Sequence, residues 1–339
     1  MKLIAFIFIS VIILFISSCT SNEIKIDIQK IDRLSISEMD SILKIDSTNA
    51  YLYRARAQQY INLNKIDNAI KDYKQAIKLQ GDSLNWFVNL SDLYLLKGES
   101  ENARQQLEVA LKIDPNSTYA LFKMGMLYLL IEDHLKSFEF FNQALSVDPN
   151  FAKAYFYKSI NYIETGDTNR AIQELYKAIE KNPEYIDAYI QMGLYYDQIN
   201  DTLARTFYKN AIRYDSLNAF AHYDLALHYQ NHKEFSKAID QYFYILNHID
   251  STFSTSYHNI GYIYLLYSND LDTAIMYFDK AIAVDYNYSE AYTNKGYALE
   301  LLKKYNDAFV EYQTAVKLDP QNTLAQEGLK RIKPHVKLN

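Results

Sequence analysis

The sequence predicts an all-α fold, a solenoid of about eight stacked helix hairpins closed at each end by a capping helix. Three repeating series of residues carry that reading. Small residues recur at Ala69, Ala103, Ser137, Ala171, Ala204, Ala238, Ala274 and Ala308, at gaps of 34, 34, 34, 33, 34, 36 and 34. Seven residues after each stands Ala76, Ala110, Ala144, Ala178, Ala211, Ile245, Ala281 and Ala315, and only Ile245 breaks the size rule. A third series, Ala57, Ser91, Gly125, Ser159, Gly193, Ala226, Gly261 and Gly296, is followed three residues later by Tyr60, Tyr94, Tyr128, Tyr162, Tyr196, Tyr229, Tyr264 and Leu299. A fixed period of this length marks a repeat architecture whose units bury their apolar faces only by stacking. Apolar spacing of three or four makes each unit two helices, and Asp114-Pro115-Asn116 and Asp148-Pro149-Asn150 stop the second. Pro115, Pro149, Pro183 and Pro320 close repeats, where a helix cannot continue. Small residues let helices cross closely, and Tyr60, Tyr73, Tyr94, Phe141, Tyr162, Tyr242, Phe278 and Tyr312 fill the hollows beside them.

Before the repeats, Met1-Lys2 supplies a positive charge and Leu3 to Ser17 is a nearly unbroken apolar run. At 1.5 Å per residue that run reaches about 22 Å, short of a bilayer core of about 30 Å, so residues 1–18 read as a signal peptide. The run ends at Ser17-Ser18-Cys19, and Cys19 is the only cysteine of the chain. The stretch resembles a bacterial lipoprotein signal, which implies lipidation (a palmitate-type chain) at Cys19 as the mature N-terminus. Thr20 rather than Asp after the cysteine implies, by the same resemblance, an outer-membrane location facing the periplasm or the cell surface. Residues 19–34 are polar with isolated Ile and read as a flexible membrane tether of about 20 Å r.m.s. span. Residues 35–49 read as an N-terminal cap helix, opened by the capping-box pattern Ser35-Ile36-Ser37-Glu38. The eight repeats then run 50–83, 84–117, 118–151, 152–185, 186–218, 219–253, 254–288 and 289–320. Residues 321–339 close the chain, with a helix over Asn322 to Lys333 whose apolar residues are Leu324, Ala325, Leu329 and Ile332.

The pattern resembles the tetratricopeptide repeat. Repeat three shows its signature positions as Leu121, Met124, Gly125, Tyr128, Ser137, Phe141, Ala144 and Pro149. The resemblance covers residues 50–320 and implies a right-handed superhelix with a concave groove lined by first helices. Repeat five is one residue short near Asn200-Asp201, and repeat seven one residue long at Ser268 to Asp272. Arg56, Lys158 and Lys295 occupy a usually apolar position, and their stems are expected to cover the seam while the charges reach water.

Composition narrows function. The 339 residues are 49% hydrophobic with 8 Gly and 5 Pro, which excludes disordered, collagen-like and disulfide-stapled classes. A net charge of −6 gives no basic excess for phosphates, so no nucleic-acid partner is expected. Gly81-Asp82-Ser83-Leu84 resembles an esterase nucleophile motif but ends a helical repeat, where the required strand is missing. His228 and His232 lie four apart without a third metal ligand and read as solvated, while His222 and His258 read as packed or groove-lining. There is no glycine-rich phosphate loop, and the Asp and Glu scatter shows no distinctive spacing. No enzyme, metal or cofactor is expected.

The family's groove positions transfer to Tyr119, Phe122 and Met126 in repeat three, Phe156 and Ile160 in repeat four, and Ile190 and Leu194 in repeat five. Phe220, Tyr223, Leu227, His258 and Tyr262 follow in repeats six and seven. An apolar and aromatic strip of this kind is either a docking surface or is packed against neighbouring helices. By the same resemblance, Arg54, Gln58, Asn89 and Lys123, with Tyr119 where a Lys is usual, stand at the places of a clamp for a partner's terminal carboxylate. The reading is a lipid-anchored envelope scaffold that binds envelope proteins through the groove, with self-association open. The alternative is a glycan-binding surface lipoprotein of a nutrient-uptake system, but repeat gaps no longer than 36 leave no room for the insertions such proteins use.

Overall fold

The structure, a computed structural model, describes residues 31–81 and 83–336. The proposed signal peptide, Cys19 and residues 19–30 of the proposed tether lie outside the described residues, as do Asp82 and the last three residues. Among the described residues there are eighteen α-helices and no strands. They fall into two compact units divided after Ile131.

The first unit holds α1 (Ile36–Ile45), α2 (Ala50–Asn62), α3 (Ile66–Leu79), α4 (Leu84–Leu96), α5 (Ser100–Ile113) and α6 (Thr118–Leu130). α2 packs on α3 and α4 on α5, and α3 meets α4. Ser35 and Glu38 form the expected capping box: the Glu38 N–H donates to Ser35 Oγ at 3.3 Å and the Ser35 N–H to Glu38 Oε2 at 2.8 Å. One expectation fails here. Residues 31–34 are not free tether: Ile31 is fully buried, Leu34 packs on the cluster of Met39, Leu43 and Leu52, and Asp32 pairs with Arg54 at 2.7 Å. Two apolar side chains among polar neighbours suffice to dock a short segment once α1 and α2 offer a face.

The second unit holds α7 (His134–Val147), α8 (Ala152–Glu164), α9 (Thr168–Lys181), α10 (Ile186–Gln198), α11 (Leu203–Tyr214), α12 (Ala219–Asn231), α13 (Phe235–Tyr244), α14 (Ser254–Ile263), α15 (Leu271–Val284), α16 (Ser289–Leu301), α17 (Tyr305–Leu318) and α18 (Thr323–Ile332). From α8 to α17, even and following odd helices form antiparallel hairpins, and each hairpin packs on the next. α18 packs on both α16 and α17.

The three small-residue series are buried throughout both units. The reason is steric and can be read in pairs. A Cβ added at Gly193 would fall inside the volume of the Tyr208 ring, at Gly261 it would lie 2.9 Å from Phe278, and at Gly296 2.9 Å from Tyr312. Where the third series carries Ser91 or Ser159, the residue sixteen further on is the smaller Leu107 or Leu175. Small residue and ring are chosen together to fill one volume.

Turns follow the same period. Asn64, Gly98, Glu132, Gly166, Asn200, Lys233, Asn269 and Lys303 each end a first helix with positive φ, between 51° and 79°. Six of the eight are not glycine, and each such left-handed residue costs about 1 kcal/mol. At the end of the second helices, Asp114, Asp148, Asn182, Asp215, Asp250, Asp285 and Asp319 accept the N–H two residues on, at 2.8 to 3.1 Å. These side-chain turns redirect the chain whether or not a proline follows.

The irregular repeats resolve differently from expectation. The extra residue expected at Ser268 to Asp272 sits instead in a wide helical turn over Tyr264–Ser268, at the end of α14. A second wide turn, Ile245–Ile249, ends α13, closed by the Asp250 N–H donating to Ile245 O at 2.8 Å. It begins at the one position where a bulky Ile replaces the small residue. Local widening admits an inserted residue without moving the flanking hairpins. The missing residue of repeat five is taken from the start of α11, which is 12 residues long where other second helices reach 14.

Candidate functional site

The first helix of each hairpin carries the sequence-derived groove residues, and the two units are taken separately. In the first unit Tyr119 on α6 is 43% exposed, Met126 is half-buried, and Phe122 is only 3% exposed. Phe122 is therefore core and is withdrawn as a surface anchor. It stands one turn from Tyr119 on a helix that is apolar nearly all round, and one sequence cannot say which apolar face is covered.

The proposed carboxylate clamp is corrected by its own neighbours. Arg54 is bound to Asp32, and the Lys123 Nζ lies 2.8 and 2.9 Å from the two Asp92 oxygens, with the Tyr119 ring 5.4 Å away. Burial works against the Lys123 charge, but the bond to Asp92 outweighs it and the ammonium titrates above its ordinary value. The Asn89 Nδ2 donates to the Tyr73 hydroxyl at 3.2 Å, and Gln58 is exposed. Both cations are thus already neutralised by carboxylates of the protein, and an incoming carboxylate would have to displace them.

In the second unit Phe156 and Ile160 on α8, Ile190 on α10, and Tyr223 and Leu227 on α12 are half-buried, as are His258 and Tyr262 on α14. Leu194 is 37% and Phe220 66% exposed. Phe156 stands edge-on to Tyr157 and Tyr185 at 5.3 and 5.2 Å, so it is held by neighbours rather than open. The strip therefore divides: some residues pack between successive hairpins, while Leu194 and Phe220 face outward.

A polar chain crosses the same face. The Asn294 Nδ2 on α16 lies 2.9 Å from His258 Nε2; His258 Nδ1 lies 3.0 Å from Asn259 Oδ1; and Asn259 Nδ2 donates to the hydroxyls of Tyr242 and Tyr223 at 3.1 and 3.3 Å. One assignment of protons satisfies every contact, with His258 neutral, protonated on Nδ1 and accepting on Nε2. Burial pushes the His258 pKa down, which keeps that form. Beside it, a cavity of about 320 Å³ opens between α14, α16 and α18, walled by Tyr262, Leu265, Tyr297 and Leu324 with Asn294 and Glu327 among its polar lining.

Sequence reasoning missed a pair of carboxylates on α10 and α12. Asp197 on α10 holds His228 Nδ1 at 2.5 Å through one oxygen and accepts from the Tyr208 hydroxyl at 2.8 Å through the other. His228 is fully buried, contrary to its reading as solvated; only His232 is partly open. Asp224 on α12 lies close by, and burial first, then the Asp197 charge, pushes its carboxyl up to about 6. The charge-scatter reading failed because Asp197 and Asp224 are 27 residues apart and meet only across a hairpin. Among the described residues no group of three or more His, Cys, Asp or Glu is placed to hold a metal ion.

Buried ion pairs form a second pattern that sequence reasoning missed. Arg56 binds Asp72 through two 2.7 Å bonds, Lys158 lies 3.4 Å from Glu174, and Lys295 lies 2.7 Å from Glu311. In each case the acid stands sixteen residues after the base, on the second helix of the same hairpin. The expectation that these cations reach water is thereby overturned.

Family profiles described as tetratricopeptide repeat match residues 54–118 and 263–323, 118–151, and 153–185, together more than half of the chain. The chain belongs to the tetratricopeptide-repeat family. Comparison with curated proteins finds no match. Among solved structures, the C-terminal part of a tetratricopeptide-repeat protein from Cytophaga hutchinsonii superposes with a TM-score of 0.57 at 18% identity, over 71% of this chain and 99% of that one. A tetratricopeptide-repeat protein from Parabacteroides merdae gives 0.52 at 16%, over 74% and 98%. The Cut9-Hcn1 hetero-tetramer of APC/C gives 0.54 at 15%, covering 87% of this chain, which spans 58% of the length of that neighbour. At these identities the likeness is one of fold.

Proposed function

We propose that the protein is a non-enzymatic protein–protein interaction scaffold, anchored to the bacterial cell envelope through a lipid on Cys19, that holds a segment of a partner on the first-helix face of its second unit. The observation that carries the docking reading is Phe220, two-thirds exposed on α12 with its edge to Phe253 at 6.3 Å, while Leu194 on the preceding first helix is exposed as well. A large ring left in water on a face otherwise built of close-packed rings is available as an anchor. The anchoring reading is supported by the apolar run before Cys19 and the absence of any other cysteine. Among the described residues no helix is long and apolar enough to cross a membrane.

The test is affinity purification from native membranes of the full chain and of the Leu194→Ala/Phe220→Ala variant, with Cys19→Ser in parallel. The double variant is expected to keep its helical circular dichroism and lose at least tenfold of a defined envelope partner, and Cys19→Ser to leave the membrane fraction. Equal recovery by the double variant would remove the first-helix face as the docking site, and an unchanged membrane association of Cys19→Ser would remove the lipid anchor. Leu194 and Phe220 are chosen over Tyr223 because truncating Tyr223 would also open the Asn259 hydrogen-bond chain.

A further inference from the structure

We propose that the segment received by the second unit is basic, with a lysine or arginine side chain of the partner set on Asp224 between apolar residues that cover Phe220 and Leu227. This deepens the docking reading above and rests on it.

The charge pattern of the face points to a cation. The three successive first helices α10, α12 and α14 contain no Lys or Arg. Lys295 is the only such residue on α16, and it is held between Asp279 and Glu311, both at 2.7 Å. Among the carboxylates on the same stretch, Glu300 of α16 is paired with Arg331, but Asp224 of α12 is not matched in this way. Asp197 is engaged by His228 and Tyr208, which leaves Asp224 beside a second negative charge with no hydrogen bond or ion pair to it among the described residues. A half-buried carboxylate without a partner lowers the stability of the protein that carries it, and a cation brought by a ligand removes that penalty.

Position and shape agree with the charge. Asp224 follows Phe220 by four residues and precedes Leu227 by three, so all three share one helical face. A Lys or Arg stem can lie along Leu227 and the Tyr223 ring while its head reaches the carboxylate. The titratable groups around Asp224 are Asp197 of α10 with His228 bound to it one turn further along α12, Tyr208 of α11 and Tyr242 of α13, and both tyrosines are held neutral by burial. Among the described residues none of them makes an ion pair or hydrogen bond with Asp224. Because Asp224 titrates near 6 when free, a cation that favours its ionised form binds more tightly as the pH rises through that value.

The probe is a phage-displayed library of random twelve-residue peptides, selected at neutral pH on the full chain, on Asp224→Asn, on the exposed second-helix control Asp240→Asn, and on Leu194→Ala/Phe220→Ala. The native chain and Asp240→Asn are expected to enrich sequences with Lys or Arg flanked by aromatic or aliphatic residues. Asp224→Asn, which removes an uncompensated charge and so does not threaten folding, is expected to lose the cationic preference and bind the selected basic peptide at least tenfold more weakly. That peptide should bind the native chain several-fold more tightly at pH 7.5 than at pH 5, and Asp224→Asn with a clearly smaller dependence. Enrichment of apolar or acidic peptides without cations, or a basic preference retained by Asp224→Asn, overturns the assignment of Asp224 while the docking reading stands. Absence of any enrichment by the native chain, or enrichment equal on the Leu194→Ala/Phe220→Ala variant, overturns the docking reading itself and this assignment with it.

Discussion

Replacing Arg56 by Leu is expected to destabilise the first unit by about 3–5 kcal/mol, because it strands Asp72. Asp72 is almost fully buried, and both of its oxygens are bound by the Arg56 guanidinium, whose remaining nitrogen reaches Asp40 at 2.5 Å. The bonds to Asp72 hold the guanidinium pKa above its ordinary value despite the burial that opposes charge. The companion substitution follows from the other repeats. Where the position of Arg56 carries Leu90 or Leu225, the residue sixteen further on is Gln106 or Gln241. The double replacement Arg56→Leu/Asp72→Gln should therefore return stability to within about 1 kcal/mol of the native protein, since a polar group without charge can turn to solvent. Urea unfolding followed by Trp86 fluorescence measures this directly: Trp86 is the only tryptophan and is buried on α4, edge-on to Tyr51 at 5.5 Å. A single Arg56→Leu variant as stable as the native chain would show that the buried pair carries no net structural role.

The second large effect lies at the hairpin crossings. Gly193→Ser should cost about 1–3 kcal/mol, because its Cβ falls within the Tyr208 ring's volume and Tyr208 is fully buried. Gly261→Ser should act in the same direction more mildly, since Phe278 lies 2.9 Å from the added carbon. At that second site the cost should be largely recovered by Phe278→Leu, which recreates the pairings of Ser91 with Leu107 and Ser159 with Leu175. Thermal unfolding by far-ultraviolet circular dichroism of the native chain, the two single variants and the double variant gives the coupling. Strict additivity of the two changes would mean that residue and ring do not share one volume.

The fold was legible because its determinants are local and repeated. Ala69 and its counterparts mark crossings on sight, since small residues at a fixed period stand where helices approach too closely for a larger side chain. The missing residue of repeat five was located near Asn200-Asp201 but is taken from the start of α11 rather than from the turn, and the two insertions were absorbed at the ends of α13 and α14 as wide turns. A count of spacing shows that a residue has been added but not whether helix or loop takes it. The site was legible only in outline. Phe122 and Tyr119 stand one turn apart on the same apolar helix, yet Phe122 is core, while Tyr119 and its counterpart Phe220 in repeat six are exposed. Arg54 and Lys123 looked free until Asp32 and Asp92 were seen beside them, and Asp224 looked ordinary until Asp197 was. Electrostatics is set by contacts between helices far apart in sequence, and a single sequence does not display those contacts.

The most direct test of the first-helix face as a docking surface is site-specific photo-crosslinking in native membranes, with benzoylphenylalanine placed at Phe220 in one variant and at Val310 in another. Val310 is comparably exposed but lies on α17, a second helix. A discrete crosslinked partner from the Phe220 position, reduced by Asp224→Asn and missing from the Val310 position, is the predicted result. Crosslinks from Val310 with none from Phe220, or the same partner from both, would contradict it.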